Sequence, residues 1–161
     1  DACKQAVKIN PDDAVAHADL GAAYHFSGKH KEAIESLKQA IGIDPDLEKA
    51  HACLGWAYDK LDMYKEAMES YKHAIRINPD NAAVHFSLGT DYAKSGEYKE
   101  AIEPFKQAIK IEPDAYASLA HYNLGLVYHF SYDRDSALEQ YNILKSLDPE
   151  KAKELTNLIH K

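Results

Sequence analysis

A Leu-Gly pair returns four times along the chain at almost constant spacing, and this regularity limits the folds that the sequence can adopt. The pairs are Leu20-Gly21, Leu54-Gly55, Leu88-Gly89 and Leu124-Gly125. Successive glycines are 34, 34 and 36 residues apart. Each is followed by a tyrosine after three residues, an alanine after twelve and a proline after twenty-four. A period of this length indicates a stack of similar supersecondary units.

Each unit carries two amphipathic patterns with a short break between them. Apolar residues recur at spacings of three and four, which places them on one face of a helix. A helix should end before each proline, because the residue preceding proline is disfavoured in helical conformation. We predict helices over residues 14–27, 30–43, 48–61, 64–77, 82–95, 98–111, 116–131, 134–147 and 150–160. We expect the acidic residue after each proline to cap the following helix; these residues are Asp46, Asp80, Asp114 and Glu150.

Composition excludes several classes of function. A hydrophobic content of 45% over 161 residues supports a packed core. No apolar run approaches the ~18 residues of a membrane span, so we expect no direct membrane insertion. The 26 acidic residues exceed the 19 basic ones, giving a net charge of −7 without a basic stripe, which argues against nucleic-acid binding. The chain's two cysteines form no CxxC pair. Reduced thiols slightly favour a cytoplasmic location, but the sequence does not determine the compartment.

The repeated pattern resembles the tetratricopeptide repeat. The resemblance rests on Leu-Gly, the tyrosine, a large residue sixteen positions after the glycine, the alanines and the closing proline; the large residues are Leu37, Tyr71, Phe105 and Tyr141. It implies an all-α fold, a right-handed superhelical solenoid of antiparallel helix pairs with 34-residue repeats. The implied divisions are a second-helix remnant of an upstream repeat at 1–11, repeats at 12–45, 46–79, 80–113 and 114–149, and a capping helix at 150–161.

Two departures from the pattern are informative. The fourth repeat is two residues longer between Pro113 and Gly125, so its first helix is extended or preceded by a loop. Pro104 lies within the second helix of the third repeat, where it removes one hydrogen bond. We expect a bend there and not a break.

A histidine column raises the question of a metal site. One histidine precedes each glycine by four residues: His17, His51, His85 and His121. Metal ligands must converge on one ion at ~2.0–2.1 Å, whereas neighbouring helices are ~8–10 Å apart. We therefore predict packing histidines and no metal or other cofactor. The chain also lacks a phosphate-binding glycine loop, HExxH and GxSxG, so we predict that it is not an enzyme.

In the tetratricopeptide family, the first helices line a concave groove that holds a peptide or a partner helix. Projection of that geometry gives these candidate groove residues: Asp19, Ala22, His25, Lys49, Cys53, Trp56, Asp59, Lys60, Phe86, Thr90, Lys94, Leu119, Tyr122, Asn123, Leu126 and His129. Trp56 and Phe86 are either ligand anchors or a packing pair. One subclass clamps a partner's terminal carboxylate with an asparagine directly after the glycine. The corresponding residues here argue against such a clamp: Ala22, Trp56, Thr90 and Leu126.

The resemblance therefore implies a non-catalytic protein–protein interaction scaffold. Its groove is aromatic and apolar, which favours an extended apolar segment or an amphipathic helix as the ligand. Self-assembly through the end helices into a homo-oligomer is an alternative. A third interpretation is an accessory interaction arm of a larger enzyme.

Overall fold

The computed structural model describes residues 2–159, and over this range the chain forms ten helices and no strand. Residue 1 of the predicted N-terminal remnant and residues 160 and 161 of the predicted capping helix lie outside the described range. The helices are α1 Ala2–Ile9, α2 Ala14–Phe26, α3 His30–Ile43, α4 Glu48–Asp59, α5 Tyr64–Ile77, α6 Ala82–Lys94, α7 Tyr98–Ile111, α8 Pro113–Phe130, α9 Arg134–Leu147 and α10 Pro149–Ile159.

Predicted and observed helices agree to within three residues at every end inside the described range. The largest difference is at the start of α8, which begins at Pro113 and not at residue 116. Proline is favoured at the first position of a helix, because its missing N–H would have no partner there. The extra length of the fourth repeat therefore extends the helix. Pro104 lies buried within α7, which continues to Ile111 without a break, as predicted.

The predicted helix caps were wrong. The cap of α6 is Asn81, whose side chain accepts a hydrogen bond from the Val84 N–H, and α4 has no side-chain cap. At α10 the acceptor is Asp148, which precedes the proline and bonds the Lys151 N–H at 3.1 Å. Because α8 and α10 begin at their prolines, the acidic residues after them already lie in the first turn.

The chain divides into two compact units, residues 2–79 and 80–159 within the described range. In the first unit α2 packs against α3, α3 against α4, and α4 against α5, while α1 packs on α2 and α2 also contacts α4. In the second unit α6, α7, α8 and α9 follow the same order, and α10 packs on both α8 and α9. Each unit is therefore built from pairs of helices that are neighbours in sequence.

Close helix packing explains the glycine column. A Cβ atom built on Gly55 would lie 2.3 Å from the ring of Tyr71, and one on Gly89 would lie 2.9 Å from Phe105. Any larger residue would push these helix axes apart. The fourth repeat differs, because the atom that faces Gly125 belongs to Leu155 of α10, at 2.4 Å. Tyr141, which the sequence pattern predicts at this place, is partly exposed instead.

The turns between paired helices share one left-handed residue. Gly28 and Gly96 have φ values of 77° and 78°, and Asp62 and Tyr132 hold the same place with φ values of 57° and 62°. Glycine adopts this conformation without steric cost, whereas a tyrosine there is uncommon. Tyr132 is also 97% exposed, so burial of its ring does not compensate.

Candidate partner-binding surface

Trp56 is the centre of the predicted surface in the first unit. It lies on α4, directly after the glycine that packs against Tyr71, and its side chain is partly exposed. Residues at spacings of three, four and seven share one side of a helix. Lys49 and Cys53 therefore lie along the same side of α4 as Trp56, and Lys60, which directly follows the helix, continues this side.

An ion pair joins α2 to α4 beside this surface. Lys49 Nζ donates to Asp19 Oδ1 at 2.5 Å, and the bond raises the pKa of the lysine. Both side chains are about half exposed, so the pair adds little to folding stability, of the order of 0–1 kcal/mol. The pair brings two predicted surface residues on different helices into contact.

At the other end of the same surface, His25 lies within electrostatic range of Asp59 and Lys60. Burial lowers the pKa of His25, and His30 and Lys60 lower it further, while Asp59 opposes them. These effects together favour the neutral form of His25. Lys60 Nζ lies 3.8 Å from Asp59 Oδ2. The structure thus groups predicted residues from α2 and α4 at both ends of one surface.

Cys53 lies inward from this surface. Its side chain is buried, and burial raises its pKa to about 11. The thiol is consequently protonated at neutral pH and is neither a nucleophile nor a metal ligand. Ala22, on α2, is partly exposed and offers a small apolar contact.

In the second unit, Phe86 is engaged in packing within the unit. Its ring meets Phe105 edge-on at 5.5 Å between centroids and Tyr116 at 5.3 Å. Such arrangements are typical of aromatic pairs inside a protein core. Phe86 is therefore partly buried against α7 and α8, which leaves less of the ring to meet a ligand.

Tyr122 and Leu126 are covered in part by α10. Both pack against the apolar cluster that contains Leu144 and Leu155. Burial and the neighbouring Glu154 raise the pKa of Tyr122. The last helix therefore contacts the side of α8 on which the sequence places two groove residues.

The other predicted residues of this unit remain closer to solvent. Leu119 is 43% exposed, and Asn123 Nδ2 donates to its carbonyl at 2.9 Å. Thr90 Oγ1 similarly donates to the Phe86 carbonyl. Lys94 Nζ lies 3.6 Å from the buried carboxylate of Asp91, and the His129 ring contacts Phe130.

The family model that matches the chain describes the C-terminal ARM domain of tetratricopeptide repeat protein 21, and the match covers residues 4–119. The chain belongs to this tetratricopeptide repeat family. The 34-residue pattern and the paired helices agree with that membership.

Solved tetratricopeptide structures match almost the whole chain. The crystal structure of MamA is 29% identical, covers 97% of this chain and 85% of its own, and has a TM-score of 0.80. YrrB, described as a TPR protein with an unusual peptide-binding site, is 22% identical, covers 99% and 91% respectively, and has a TM-score of 0.84. None of the curated proteins compared with the chain matches it.

These matches confirm the predicted fold class, an all-α solenoid built from antiparallel tetratricopeptide helix pairs. The chain is therefore a protein-interaction scaffold, and its partners are proteins or peptides. Families of this kind are generally non-enzymatic. Within residues 2–159 no helix has the length and apolar character needed to cross a membrane.

The column of histidines that precede the repeat glycines has a structural role in the first unit. His17 Nε2–H donates to the Pro11 carbonyl at 2.9 Å, and His51 Nε2–H donates to the Pro45 carbonyl at 2.8 Å. Each bond fixes the loop that precedes a first helix. In the longer fourth repeat the partner changes, and His121 Nδ1 contacts Gln140 Oε1 at 2.8 Å. Among the residues described, no cluster of three or more potential ligands could hold a metal ion.

Two features were missed in the sequence. One is a cavity of about 540 Å³ between the second helices α3 and α5. No sequence signal marked it, because its floor residues repeat the ordinary packing pattern. The other is the exposed Tyr132, which lines a smaller cavity with Phe130 and Arg134. Its signal was visible, since Tyr132 occupies the place held by glycine in the first and third turns.

Proposed function

We propose that this chain is a non-catalytic scaffold that binds an apolar peptide segment or an amphipathic helix of a partner protein on the α2–α4 surface of the first unit. The observation that carries the proposal is the position of Trp56. It is the chain's only tryptophan, it is partly exposed, and oppositely charged side chains lie at both ends of its surface.

The chemistry of the surface fits an apolar ligand with polar flanks. Tryptophan is enriched among the residues that contribute most to binding. Ala22 and the aliphatic part of the Lys49 side chain offer further apolar area without bulk. The pairs Asp19–Lys49 and Asp59–Lys60 would determine ligand orientation more than affinity, as is usual for charges at the rim of an interface.

The second unit offers a smaller set of candidate contacts, which we assign to the same function. Leu119 and Asn123 are accessible along α8, and Thr90 and Lys94 along α6. Phe86, Tyr122 and Leu126 are already packed against neighbouring helices. We therefore expect substitutions at these three positions to affect folding more than binding.

Peptides selected from a random library on the wild-type chain would test the proposal. A labelled selected peptide is titrated by fluorescence anisotropy against the wild type, Trp56→Ala and, as a matched control, Tyr132→Ala. We expect Trp56→Ala to weaken binding about 30-fold, equivalent to about 2 kcal/mol at an interface anchor. Tyr132→Ala should bind like the wild type, and circular dichroism checks that all three fold. Equal affinity for Trp56→Ala would refute this site.

Self-assembly is a second candidate function, and one observation favours it. Helix α1 has no buried residue, and Ile9 is 76% exposed at its end. An isologous pairing of two such faces would bury this apolar area. Sedimentation velocity across a concentration series would show a dimer that Ile9→Lys abolishes. A monomer at every concentration would rule out self-assembly and leave the Trp56 surface unaffected.

A further inference from the structure

A second candidate binding site lies on the side of the second helices, entirely within the first unit. The cavity has a volume of about 540 Å³, which falls in the range of small-molecule sites. It opens between α3 and α5, with α4 as its floor. Its lining residues are Lys38, Ile41, His51, Leu54, Tyr58, Lys65, Glu66, Glu69, Ser70 and His73.

This cavity is distinct from the surface around Trp56. Its floor residues His51, Leu54 and Tyr58 recur at spacings of three and four along α4, so they share one face. Trp56 and Lys49 lie about half a turn away from that face. The two sites therefore use opposite sides of the same helix, and a ligand in one does not occupy the other.

The floor offers an apolar contact with one unused polar group. Leu54 and Tyr58 are 7% and 8% exposed, and Ile41 adds a partly exposed aliphatic wall. The Tyr58 hydroxyl has no hydrogen-bond partner among residues 2–159, although nine-tenths of its side chain is buried. A hydroxyl that lines a cavity and has no hydrogen-bond partner can donate to a ligand.

The charges at the rim favour an anion. Neither Lys38 nor Lys65 forms an ion pair within the described part of the chain. Lys38 Nζ lies over the Tyr58 ring, 5.8 Å from its centroid. Of the two lining carboxylates, Glu69 already accepts from Lys72 at 2.9 Å. Two lysine ammonium groups therefore remain against the single carboxylate of Glu66, in a protein whose net charge is −7.

The remaining wall is flat and already hydrogen-bonded. The rings of His51 and His73 stack with 5.1 Å between centroids and 9° between planes. His51 bonds the Pro45 carbonyl, and Arg76 Nη2 donates to His73 Nδ1 at 2.5 Å. These bonds fix both rings, so they form a rigid side wall beside the apolar floor.

We propose that this cavity binds a small organic anion with a ring-shaped apolar body. The ring packs on Leu54 and Ile41 beside the histidine stack. The anionic group accepts hydrogen bonds from the ammonium groups of Lys38 and Lys65 and from the Tyr58 hydroxyl. Charge-assisted bonds of this kind contribute most where the surroundings are apolar.

Two dyes that share a ring system test the proposal. Anilinonaphthalene sulfonate is the anionic probe, and phenylnaphthylamine is its uncharged counterpart. Each is titrated against the folded wild-type chain, with fluorescence and calorimetry as the measurements. We expect saturable binding of one equivalent of the sulfonate, about tenfold tighter than the uncharged dye.

Three variants locate the bound dye. Lys38→Glu/Lys65→Glu should weaken sulfonate binding at least about tenfold and leave the uncharged dye nearly unchanged. Tyr58→Phe should weaken it about threefold, through loss of one hydrogen bond. Lys99→Glu/Lys106→Glu makes the same change in net charge on exposed lysines of α7 and should bind like the wild type.

Three results would overturn the proposal. The first is equal binding of both dyes to the wild type, and the second is no saturable sulfonate binding. The third is an equal loss of affinity in the two double-lysine variants, because this would reflect net charge and not the cavity. Circular dichroism confirms that every variant used is folded.

Discussion

The first three repeats and the fourth repeat differ in the residue that packs against the glycine of the first helix. In the first three, the glycine of the first helix faces a large residue sixteen positions later in the paired helix. In the fourth, Gly125 faces Leu155 of α10, and Tyr141 lies partly exposed beside Lys145, whose Nζ is 5.6 Å from its ring centroid. The first three repeats therefore pack their glycine against a residue of the same repeat, whereas the fourth packs it against the helix that follows.

The reason for the difference lies in α9. Its buried positions hold Gln140 and Leu144, where the second helices of the other repeats bury serine or proline and alanine. Leu144 is fully buried together with Ala152 and Leu155. The helix α10 is therefore a part of the core of the second unit and not only a polar cover for its end.

The largest expected contrast is between two equivalent aromatic residues. Phe105→Ala should destabilise the chain by about 3–5 kcal/mol, because a fully buried ring is replaced by a cavity. Tyr141→Ala should cost less, about 1–2 kcal/mol, because its ring is partly exposed although it packs against the cluster of Leu144 and Leu155. Urea unfolding of both variants measures the two values. Similar losses would mean that the fourth repeat closes like the others.

A direct test of α10 is the substitution Leu155→Ala. We expect a loss of about 3 kcal/mol, since a fully buried leucine contact to Gly125 is removed. Leu147→Ala, at a position that is 50% exposed, is the matched control and should change stability by less than about 1 kcal/mol. Thermal unfolding compares them. An unaltered transition for Leu155→Ala would contradict the role given to α10.

Substitution of the glycines by alanine should give a smaller difference in stability between the repeats. Gly55→Ala places a methyl group 2.3 Å from a carbon of the Tyr71 ring, which is fully buried, so we expect a net loss of about 1–2 kcal/mol. Gly125→Ala meets a methyl group at the end of the Leu155 side chain, which can shift more readily than a ring. Alanine also gains about 1 kcal/mol of helix propensity over glycine, so the net change should be near zero. Chemical denaturation distinguishes the two, and equal losses would refute this distinction.

The smallest expected effect is a dependence on pH at the α9–α10 junction. Bonds from Lys151 and Ser118 lower the pKa of Asp148 from 3.8 to about 2. Because the folded-state pKa is the lower one, the stabilisation is complete above pH 3.8 and is lost as the pH falls towards 2. Asp148→Asn should therefore unfold with a weaker acid dependence between pH 4 and 2. An unchanged acid profile would show that the junction does not contribute.

The regular part of the fold could be predicted from the sequence because its signals are local. Apolar spacing and prolines located nine of the helices, and the glycine column marked where helices approach closely. The partner of Gly125 could not be predicted, because Leu155 lies thirty residues away and lies outside the repeated pattern. The caps of α8 and α10 were missed because these helices begin at their prolines. At α4 and α6 the capping position is one residue later than predicted.

The candidate site was harder to predict for the same reason. The sequence predicts both Trp56 and Phe86 as candidate groove residues, yet Phe86 packs on Phe105 and Tyr116. Trp56 follows the same helical periodicity, and its side chain is likewise partly exposed. Local patterns indicate which side of a helix a residue occupies, but they do not indicate what covers it.

The emission of Trp56 on binding a selected peptide tests the proposed function most directly, because the chain has no other tryptophan. With a peptide that lacks tryptophan, we predict a shift to shorter wavelengths and reduced quenching by acrylamide at saturation, as the indole ring leaves water. Saturable binding with unchanged emission and quenching would contradict the account and place the partner elsewhere on the chain.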